Sequence, residues 1–193
     1  MRERLRETAR EAILDAAEHV VLQAGLDGAT AAAIATRAGV AVGTLYNYFS
    51  DRDDILASLF RTRRAELIPA IDRAADAAQK LAFEDRLRAY VREILSVFED
   101  KQRFLRLAVL ADEQGVRIGG RDKQLMTLLQ KHLEQILREG GTRKRITTAN
   151  IPLYVRMLHG AIRGVVLMRV AEGGSIAADA DLIVDTFLHG VTR

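Results

Sequence analysis

The chain has 193 residues, with 29 Lys or Arg, 26 Asp or Glu and a formal net charge of +3. This length allows one or two small domains with a sizeable core. The absence of cysteine excludes disulfides and cysteine-ligated metal sites, and fits a reducing cytoplasm. Only two prolines, with abundant Ala, Leu, Arg and Glu, favour a helical fold.

The first ten residues, MRERLRETAR, are highly charged and are expected to be frayed. They are either a solvated helix start or an arginine arm that touches DNA phosphate or the minor groove. No apolar run follows them, so no signal peptide is predicted. The expected location is the cytoplasm.

A first helix is predicted at about residues 8–24, because apolar residues recur there at the helical period. Gly25 is the expected stop. Thr30 is the expected N-cap of the next helix, since its hydroxyl can bond a free backbone N–H. The apolar stripe consists of Ile13, Ala16, Ala17, Val20, Val21 and Ala24.

The segment from Thr30 to Phe49, TAAAIATRAGVAVGTLYNYF, predicts two short helices joined by a tight turn. Gly39 is the natural end of the first helix, because glycine adopts the left-handed conformation without a Cβ clash. Leu45 and Phe49 lie four residues apart on one face of the second helix, so they are predicted to be core. This is the helix-turn-helix plan, in which the second helix enters the DNA major groove.

The string IATRAGVAVGTLYNYFSDRDDIL resembles the DNA-binding segment of TetR/AcrR-type transcriptional regulators. This segment lies within roughly the first third of the chain, and the remainder matches the family only in length and helical pattern. The residues that carry the resemblance are Ile34, Ala35, Ala38, Gly39, Val40, Gly43, Leu45, Tyr46, Tyr48, Phe49 and Arg52.

The resemblance and the side-chain chemistry together select a set of DNA contacts. Thr44 and Asn47 can bond base edges, and Asn pairs well with adenine. Tyr46 and Tyr48 can donate to phosphates, although one of them can instead pack in the core. The predicted DNA-binding residues are Thr30, Arg37, Ala41, Val42, Thr44, Tyr46, Asn47, Tyr48 and Arg52.

Two features of this segment depart from the family pattern. Alanines occupy positions 31 to 33, where the family often has a polar or basic residue, and Ala41 replaces a frequent serine cap. The methyl of Ala41 can instead meet a thymine methyl.

Arg52 occupies a position where the family usually has Lys, so it is expected to bind phosphate and to point away from Asp51, Asp53 and Asp54. Ser50 is expected to cap the helix that follows.

Charge alone gives no support to nucleic-acid binding. Residues 1–64 contain nine basic and nine acidic side chains. The distribution helps a little, since residues 29–50 include one Arg and no acid. DNA requires local positive charge or hydrogen-bond donors rather than a basic average.

The predicted fold class is all-α, with an N-terminal three-helix helix-turn-helix domain and a C-terminal helical ligand-binding and dimerisation domain, about nine helices in all. The domain boundary is expected inside the fourth helix, giving residues 1–56 and 57–193. Pro69 is expected to kink or end that helix. Periodic apolar residues predict five further helices after Phe83.

The eighth helix has two apolar stripes, which predicts burial on two sides. In TetR-like proteins the last two helices pair with their symmetry mates, so the resemblance implies a homodimer that reads a palindromic operator in double-stranded DNA. The predicted dimer residues are Met157, Gly160, Ala161, Gly164, Met168, Leu182, Thr186 and Phe187.

An effector pocket is implied by the resemblance alone. Such regulators bind a small molecule among helices four to eight, and binding lowers DNA affinity. The few polar groups among the candidates suggest a mainly apolar effector of unknown identity. The candidate lining residues are Phe60, Tyr90, Ile94, Phe98, Phe104, Leu107, Leu125, Leu129, His132, Tyr154 and Leu158.

No catalytic pattern is present in the sequence. The four histidines are scattered, and there is neither a zinc-protease motif nor a nucleophilic serine in a GxSxG setting. We expect no enzymatic activity, no cofactor, no metal site and no membrane partner. The expected function is therefore a ligand-responsive DNA-binding repressor. The alternative is a dimeric helical interaction module whose helix-turn-helix has lost DNA binding.

Overall fold

The computed structural model describes residues 1–113, 123–140 and 146–192. These residues form α-helices and short turns, with no strand in the described ranges, as predicted. The helices are α1 (Arg2–Gly28), α2 (Ala31–Ala38), α3 (Val42–Leu45), α4 (Arg52–Ala78), α5 (Phe83–Asp100), α6 (Gln102–Glu113), α7 (Lys123–Gly140), α8 (Ile151–Glu172) and α9 (Ala180–Thr192).

The contacts divide the chain into two compact units. The first contains Met1–Ala65 and the described part of 103–121, and the second contains Glu66–Gln102 and the described part of 122–193. The expected boundary after residue 56 and this division after residue 65 both fall inside α4. The sequence did not predict that α6 would group with the N-terminal unit.

The N-terminal unit is built on the apolar stripe of α1. Helix α1 packs against α2, and α2 packs against α3. Ile13, Ala17 and Val21 are buried, as the helical period predicts. The unit also buries Leu26, Ile34, Leu45, Phe49, Ile55 and Leu59.

Helix α1 differs from the expectation at both ends. It begins at Arg2, so the charged segment that was expected to fray is helical. Its alternating Glu and Arg residues are good helix formers, which accounts for the extension. At Gly25 the backbone has φ 73° and ψ 178°, which breaks the helix before a last turn that ends at Gly28. The predicted stop is confirmed as a break, although one more turn follows it.

Helix α4 runs to Ala78, so Pro69 does not end it, which was one of the two outcomes expected at that residue. Proline removes one backbone hydrogen bond and crowds the preceding turn. Pro69 itself is exposed, while Leu67 and Ile71 on either side of it are completely buried. Burial of these neighbours offsets the lost bond, because tertiary packing supplies most helical stability in proteins.

The C-terminal unit is organised around α5, which packs against α7, α8 and α9. The apolar residues of α5 that recur at the helical period, Leu87, Val91, Leu95 and Phe98, are buried. So are Leu125, Leu129, Leu133 and Ile136 of α7. Gly140 ends α7 against Phe83, whose ring leaves no room for a Cβ at that position. The helix therefore ends where any side chain larger than that of glycine would clash with Phe83.

Helix α8 has one buried and one exposed apolar stripe. Val155, Leu158 and Ile162 are buried in the C-terminal unit. The second stripe, predicted to meet a partner helix, faces outward: Met157, Gly160, Ala161, Gly164 and Met168 are all exposed. On α9, Leu182 and Thr186 are exposed and Phe187 is buried.

Arg63 forms an ionic hub in the N-terminal unit. This α4 residue is buried, and its Nε donates to Glu18 at 2.9 Å. Its other two nitrogens donate to Glu11 and Asp15 of α1. Burial lowers the pKa of Arg63, but the bonds to Glu11 and Glu18 outweigh that effect and leave the pKa above its usual range. One arginine thus fixes two turns of α1 against α4.

Helix α6 joins the same hub through Arg103. Its Nε lies 3.3 Å from Glu18, and another of its nitrogens lies 2.9 Å from Nδ1 of His19. The rings of Phe104 and Phe60 meet edge to face, with centroids 6.0 Å apart. These contacts account for the grouping of α6 with the N-terminal unit.

We predict that Arg63→Ala lowers the free energy of unfolding by about 3 kcal/mol, because Glu18 would keep a buried charge without its main partner. Chemical denaturation followed by circular dichroism measures the loss. Arg138→Ala is the matched control, since it breaks an Arg–Glu pair that is half exposed on both sides. A change of no more than about 0.5 kcal/mol is expected there. Equal losses in the two variants would contradict the hub.

Candidate nucleic-acid interface

The first helix of the motif is capped as predicted. The Thr30 hydroxyl oxygen accepts a hydrogen bond from the backbone N–H of Ala33 at 3.1 Å. Because that oxygen acts as the acceptor, the hydroxyl proton of Thr30 is available to an outside acceptor. The side chain is exposed.

The turn between α2 and α3 depends on Gly39. This residue has φ 70° and ψ 28°, the left-handed conformation, and its N–H bonds back to Thr36 O at 3.2 Å. Glycine adopts this conformation without the steric cost that a Cβ carries. The predicted role of Gly39 is confirmed.

Helix α3 is a single turn, Val42–Leu45, followed by further turns to Tyr48. Ala41 precedes it and provides no side-chain cap. Leu45 is completely buried and Phe49 is 2% exposed, which confirms both as core. The guanidinium carbon of Arg10 lies 4.9 Å from the centre of the Phe49 ring, a cation–π distance. Arg10 of the charged N-terminal segment therefore packs on the motif.

The predicted DNA contacts fall into two groups by exposure. Thr30, Arg37, Ala41, Val42, Tyr46 and Asn47 are exposed, whereas Thr44, Tyr48 and Arg52 are half-buried. Tyr46 and Asn47 therefore offer their polar groups on the outer surface of α3 and its following turn. Tyr48 is the tyrosine that packs partly inside, the alternative left open for one of the two.

The start of α4 is capped by aspartates rather than by Ser50. The Asp51 carboxylate accepts from the Asp54 N–H at 2.7 Å, and the Asp54 carboxylate accepts from the Ser50 N–H at 3.1 Å. This pattern resembles a capping box, except that the Asp54 carboxylate bonds the N–H of Ser50, which precedes the N-cap Asp51. The expectation of a Ser50 cap is wrong, because Asp51 directly precedes the first helical residue.

Arg52 makes protein contacts with all three guanidinium nitrogens. Nε donates to the carbonyl of Ala29 at 2.9 Å, and a terminal nitrogen donates to the carbonyl of Leu26. The remaining nitrogen lies 3.1 Å from the carboxylate of Asp53. Arg52 was expected to point away from the aspartates, and its pairing with Asp53 corrects that expectation.

The candidate effector residues are shared between the two units. Phe60, Phe104 and Leu107 belong to the N-terminal unit and are buried there. The other eight belong to the C-terminal unit, where all except Tyr154 and His132 are buried. Tyr154 stacks edge to face on Phe187, with ring centroids 5.7 Å apart.

Tyr90 and His132 are brought together inside the C-terminal unit. The Tyr90 hydroxyl lies 3.4 Å from Nδ1 of His132, and Nε2 of His132 lies 3.3 Å from the Asp72 carboxylate. Burial raises the pKa of Tyr90 and lowers the pKa of His132, so both are neutral near pH 7. Asp72 then accepts from Nε2–H and fixes Nδ1 as an acceptor for the tyrosine. Sequence reasoning missed Asp72, which carries no periodic signal.

We predict opposite effects for two glycine substitutions in the motif. Gly39→Ala is expected to destabilise the N-terminal unit by about 1–2 kcal/mol, the cost of a left-handed alanine. Gly43→Ala is the matched control, because a Cβ there meets nothing within 4 Å and φ is not positive. It is expected to leave stability unchanged or to raise it by up to about 1 kcal/mol. Thermal melts compare the two, and equal destabilisation would contradict the assigned turn geometry.

Comparison with known proteins gives the same assignment for this region. The family model of bacterial regulatory proteins, tetR family, matches residues 13–59. The transcriptional regulator BetI of Paraburkholderia phytofirmans is 38% identical over 87 residues, 45% of this chain and 44% of that protein. The chain thus spans about half the length of the curated relatives it matches.

Solved structures agree over most of the chain. A TetR-like transcriptional regulator from Rhodococcus sp. RHA1 has a TM-score of 0.73 at 22% identity, covering 94% of both chains. The regulator FadR from Bacillus subtilis, in complex with stearoyl-CoA, has a TM-score of 0.68 at 23% identity, covering 94% of this chain and 98% of its own. At this identity the likeness shows the fold. The segment 13–59, which contains the capped helix-turn-helix, thus matches the tetR family of bacterial regulatory proteins, and the chain has the fold of a solved TetR-like regulator.

Proposed function

We propose that the protein is a dimeric transcriptional repressor that binds a palindromic operator and releases it when a small, mainly apolar effector binds. The observation that carries this proposal is the outer surface of α3. Tyr46 and Asn47 are exposed there, while Leu45 and Phe49 are buried behind them. A surface turn with polar side chains outward and anchored apolar side chains inward suits the major groove.

The contacts divide by chemistry into base and phosphate contacts. Asn47 can bond an adenine edge, and the methyl groups of Ala41 and Val42 can meet thymine methyls. The Tyr46 hydroxyl, the Thr30 hydroxyl and the Arg37 guanidinium can bond phosphates. Thr44 and Tyr48 are half-buried and can each reach the surface with one polar atom. Few of these groups are charged, so a single half-site should bind weakly.

The outward face of α8 and α9 supplies the dimer interface in this proposal. An open groove of about 660 Å³ lies between the two helices and is lined by Met157, Ala161, Leu182, Thr186 and Phe187, among others. At Gly160 and Gly164 an added Cβ would meet nothing of the same chain. Small residues beside a groove let a second helix approach closely. Met168 extends the same apolar face.

The apolar character of α8 has a second possible reading, a membrane span. The segment Thr148–Glu172 is long and apolar enough to cross a membrane by length and composition. The same helix, however, buries Val155, Leu158 and Ile162 against its own unit. A helix buried on one side and apolar on the other suits a dimer interface. We therefore propose a cytoplasmic protein.

The effector is proposed to bind among the apolar side chains of the C-terminal unit. Tyr90 and His132 add one neutral hydroxyl and one neutral imidazole to that environment, and the half-exposed Asp72 pairs with His132. This arrangement suits a ligand with a long apolar part and one polar group. FadR from Bacillus subtilis was solved with stearoyl-CoA, whose stearoyl chain is a long apolar group. Binding would favour a dimer whose α3 helices are wrongly spaced for the operator.

The competing function, an interaction module without DNA binding, has less support. The match to the family model covers the motif itself, residues 13–59. The exposed side chains of α3 also retain base-reading chemistry. No enzymatic function is proposed, since the relatives are named as regulators.

The test is binding to the DNA that flanks the protein's own gene, measured against salt concentration. We predict a steep negative slope of log affinity against log salt, together with sequence preference. Asn47→Ala should relax the sequence preference at one base pair. The binding free energy for DNA with the preferred base should weaken by about 1–3 kcal/mol. Tyr46→Phe should lower the affinity for all DNA sequences equally. Each variant is therefore the control for the other, one for sequence preference and one for overall affinity.

Two results would count against this proposal. A folded dimer that binds no DNA down to low salt would favour the interaction module. Asn47→Ala with unchanged sequence preference would refute the base contact while leaving DNA binding intact. Effector action is measured in the same assay as loss of operator binding on addition of an apolar small molecule.

We predict that Leu182→Glu converts the dimer to monomers and reduces operator affinity at least tenfold. Leu182 is 67% exposed on α9, and a carboxylate there would be buried without a partner in the dimer. Leu81→Glu is the matched control, because Leu81 is also exposed, at 46%, but lies outside α8 and α9. Sedimentation equilibrium measures the assembly state. Dissociation in neither variant, or in both, would contradict the proposed interface.

A further inference from the structure

We propose that Arg52 is a positioning residue that holds the junction between α1 and α2 in place for DNA binding, rather than a phosphate ligand. The inference rests on the proposed DNA-binding function. An arginine at the start of α4, beside the helix-turn-helix, would otherwise be expected to contact a DNA phosphate. Its basis is the set of partners that the guanidinium already has.

The guanidinium bridges two carbonyls at the junction. Nε donates to Ala29 O at 2.9 Å, and a terminal nitrogen donates to Leu26 O. Leu26 lies in the last turn of α1, beyond the break at Gly25, where carbonyls lack partners within the helix. Ala29 directly precedes Thr30, the N-cap of α2. One planar side chain therefore ties the end of one helix to the start of the next.

Apart from the burial of Leu26 and Ala29, the junction is held by short backbone hydrogen bonds. Ala29 N–H bonds to Leu26 O at 3.1 Å, and Thr30 N–H bonds to Gly28 O at 2.9 Å. These are tight local turns that fix neighbouring residues but do not connect the junction to α4. Arg52 makes that connection, because it belongs to the first turn of α4. The orientation of Thr30 and of the start of α2 then depends on Arg52.

The same geometry disfavours a phosphate contact. The third nitrogen of Arg52 lies 3.1 Å from the Asp53 carboxylate, so every nitrogen has a protein partner. The side chain is 35% exposed, and its charge is paired with that of Asp53. A phosphate would have to displace a carboxylate or compete with two carbonyls. The positioning role keeps the contacts that Arg52 already makes in the structure.

Substitution by lysine separates the two roles. Lysine keeps the charge but has one compact ammonium instead of a planar fork. A phosphate ligand tolerates Arg52→Lys, because a point charge still neutralises phosphate. A bridge between two carbonyls does not tolerate it. We therefore expect Arg52→Lys and Arg52→Ala to lose operator affinity to a similar extent, about tenfold or more.

The salt dependence gives a readout that a positioning role should not change. A lost phosphate contact reduces the slope of log affinity against log salt by about 0.9. We expect both Arg52 variants to keep the wild-type slope. A near-wild-type affinity for Arg52→Lys, or a slope reduced by about one contact in Arg52→Ala alone, would overturn the inference and leave the proposed function intact.

Hydrogen exchange tests the inference without DNA. In both Arg52 variants the amides of Ala29, Thr30 and Ala33 should exchange faster than in the wild type. Arg37→Ala is the charge-matched control, since Arg37 is exposed on α2 and should leave these amides unchanged. If the wild type bound no DNA, the proposed function would fail and exchange would still decide the role of Arg52. Unchanged amide exchange in both Arg52 variants would overturn the positioning role of Arg52.

Discussion

The candidate interface depends on two buried side chains, Leu45 and Phe49. Helix α3 is a single turn, far too short to be stable by its own hydrogen bonds. Its position is therefore set by what it buries. Leu45 is inaccessible and Phe49 nearly so, and Arg10 covers the Phe49 ring. The left-handed turn at Gly39 then fixes the direction in which the chain enters α3.

Six of the nine acidic side chains in residues 1–64 are bound within the protein, which explains why a charge count predicts little about DNA. Glu11, Asp15 and Glu18 are held by Arg63. Asp51 and Asp54 cap α4, and Asp53 pairs with Arg52. Acids and bases that pair with each other leave the surface near α3 with little field of either sign. The exposed hydroxyl and amide groups of Tyr46 and Asn47 gain importance as a result.

Local patterns predicted the local features. The apolar period located the helices, Gly39 and Thr30 marked the turn and its cap, and the spacing of Leu45 and Phe49 identified the core. Each of these signals lies within a few residues of the feature that it predicts. The second apolar stripe of α8 was identified in the same way, and its burial against a partner helix stays a prediction.

Contacts between distant residues left no such signal. The bonds from Arg52 to Leu26 and from Arg63 to Glu11 join residues that are far apart in sequence. Nothing in the spacing of these residues indicates the pairing, so Arg52 resembled a surface residue. Pro69 was misleading for the opposite reason, since a local rule was overruled by burial of Leu67 and Ile71. The roles assigned to individual DNA-contacting residues remain predictions.

The proposed dimer accounts both for the weak binding expected of a single half-site and for the apolar face of α8 and α9. A one-turn recognition helix with little charge gains affinity when a second copy is held at a fixed distance, because the second contact then occurs at high effective concentration. The half-sites would lie about 34 Å apart, or a multiple of that distance. Such a gain requires a rigid dimer, and an apolar groove beside small residues provides close helix packing. In the proposed mechanism, an effector that changes only the distance between the two α3 helices of the dimer removes most of the affinity without contacting DNA.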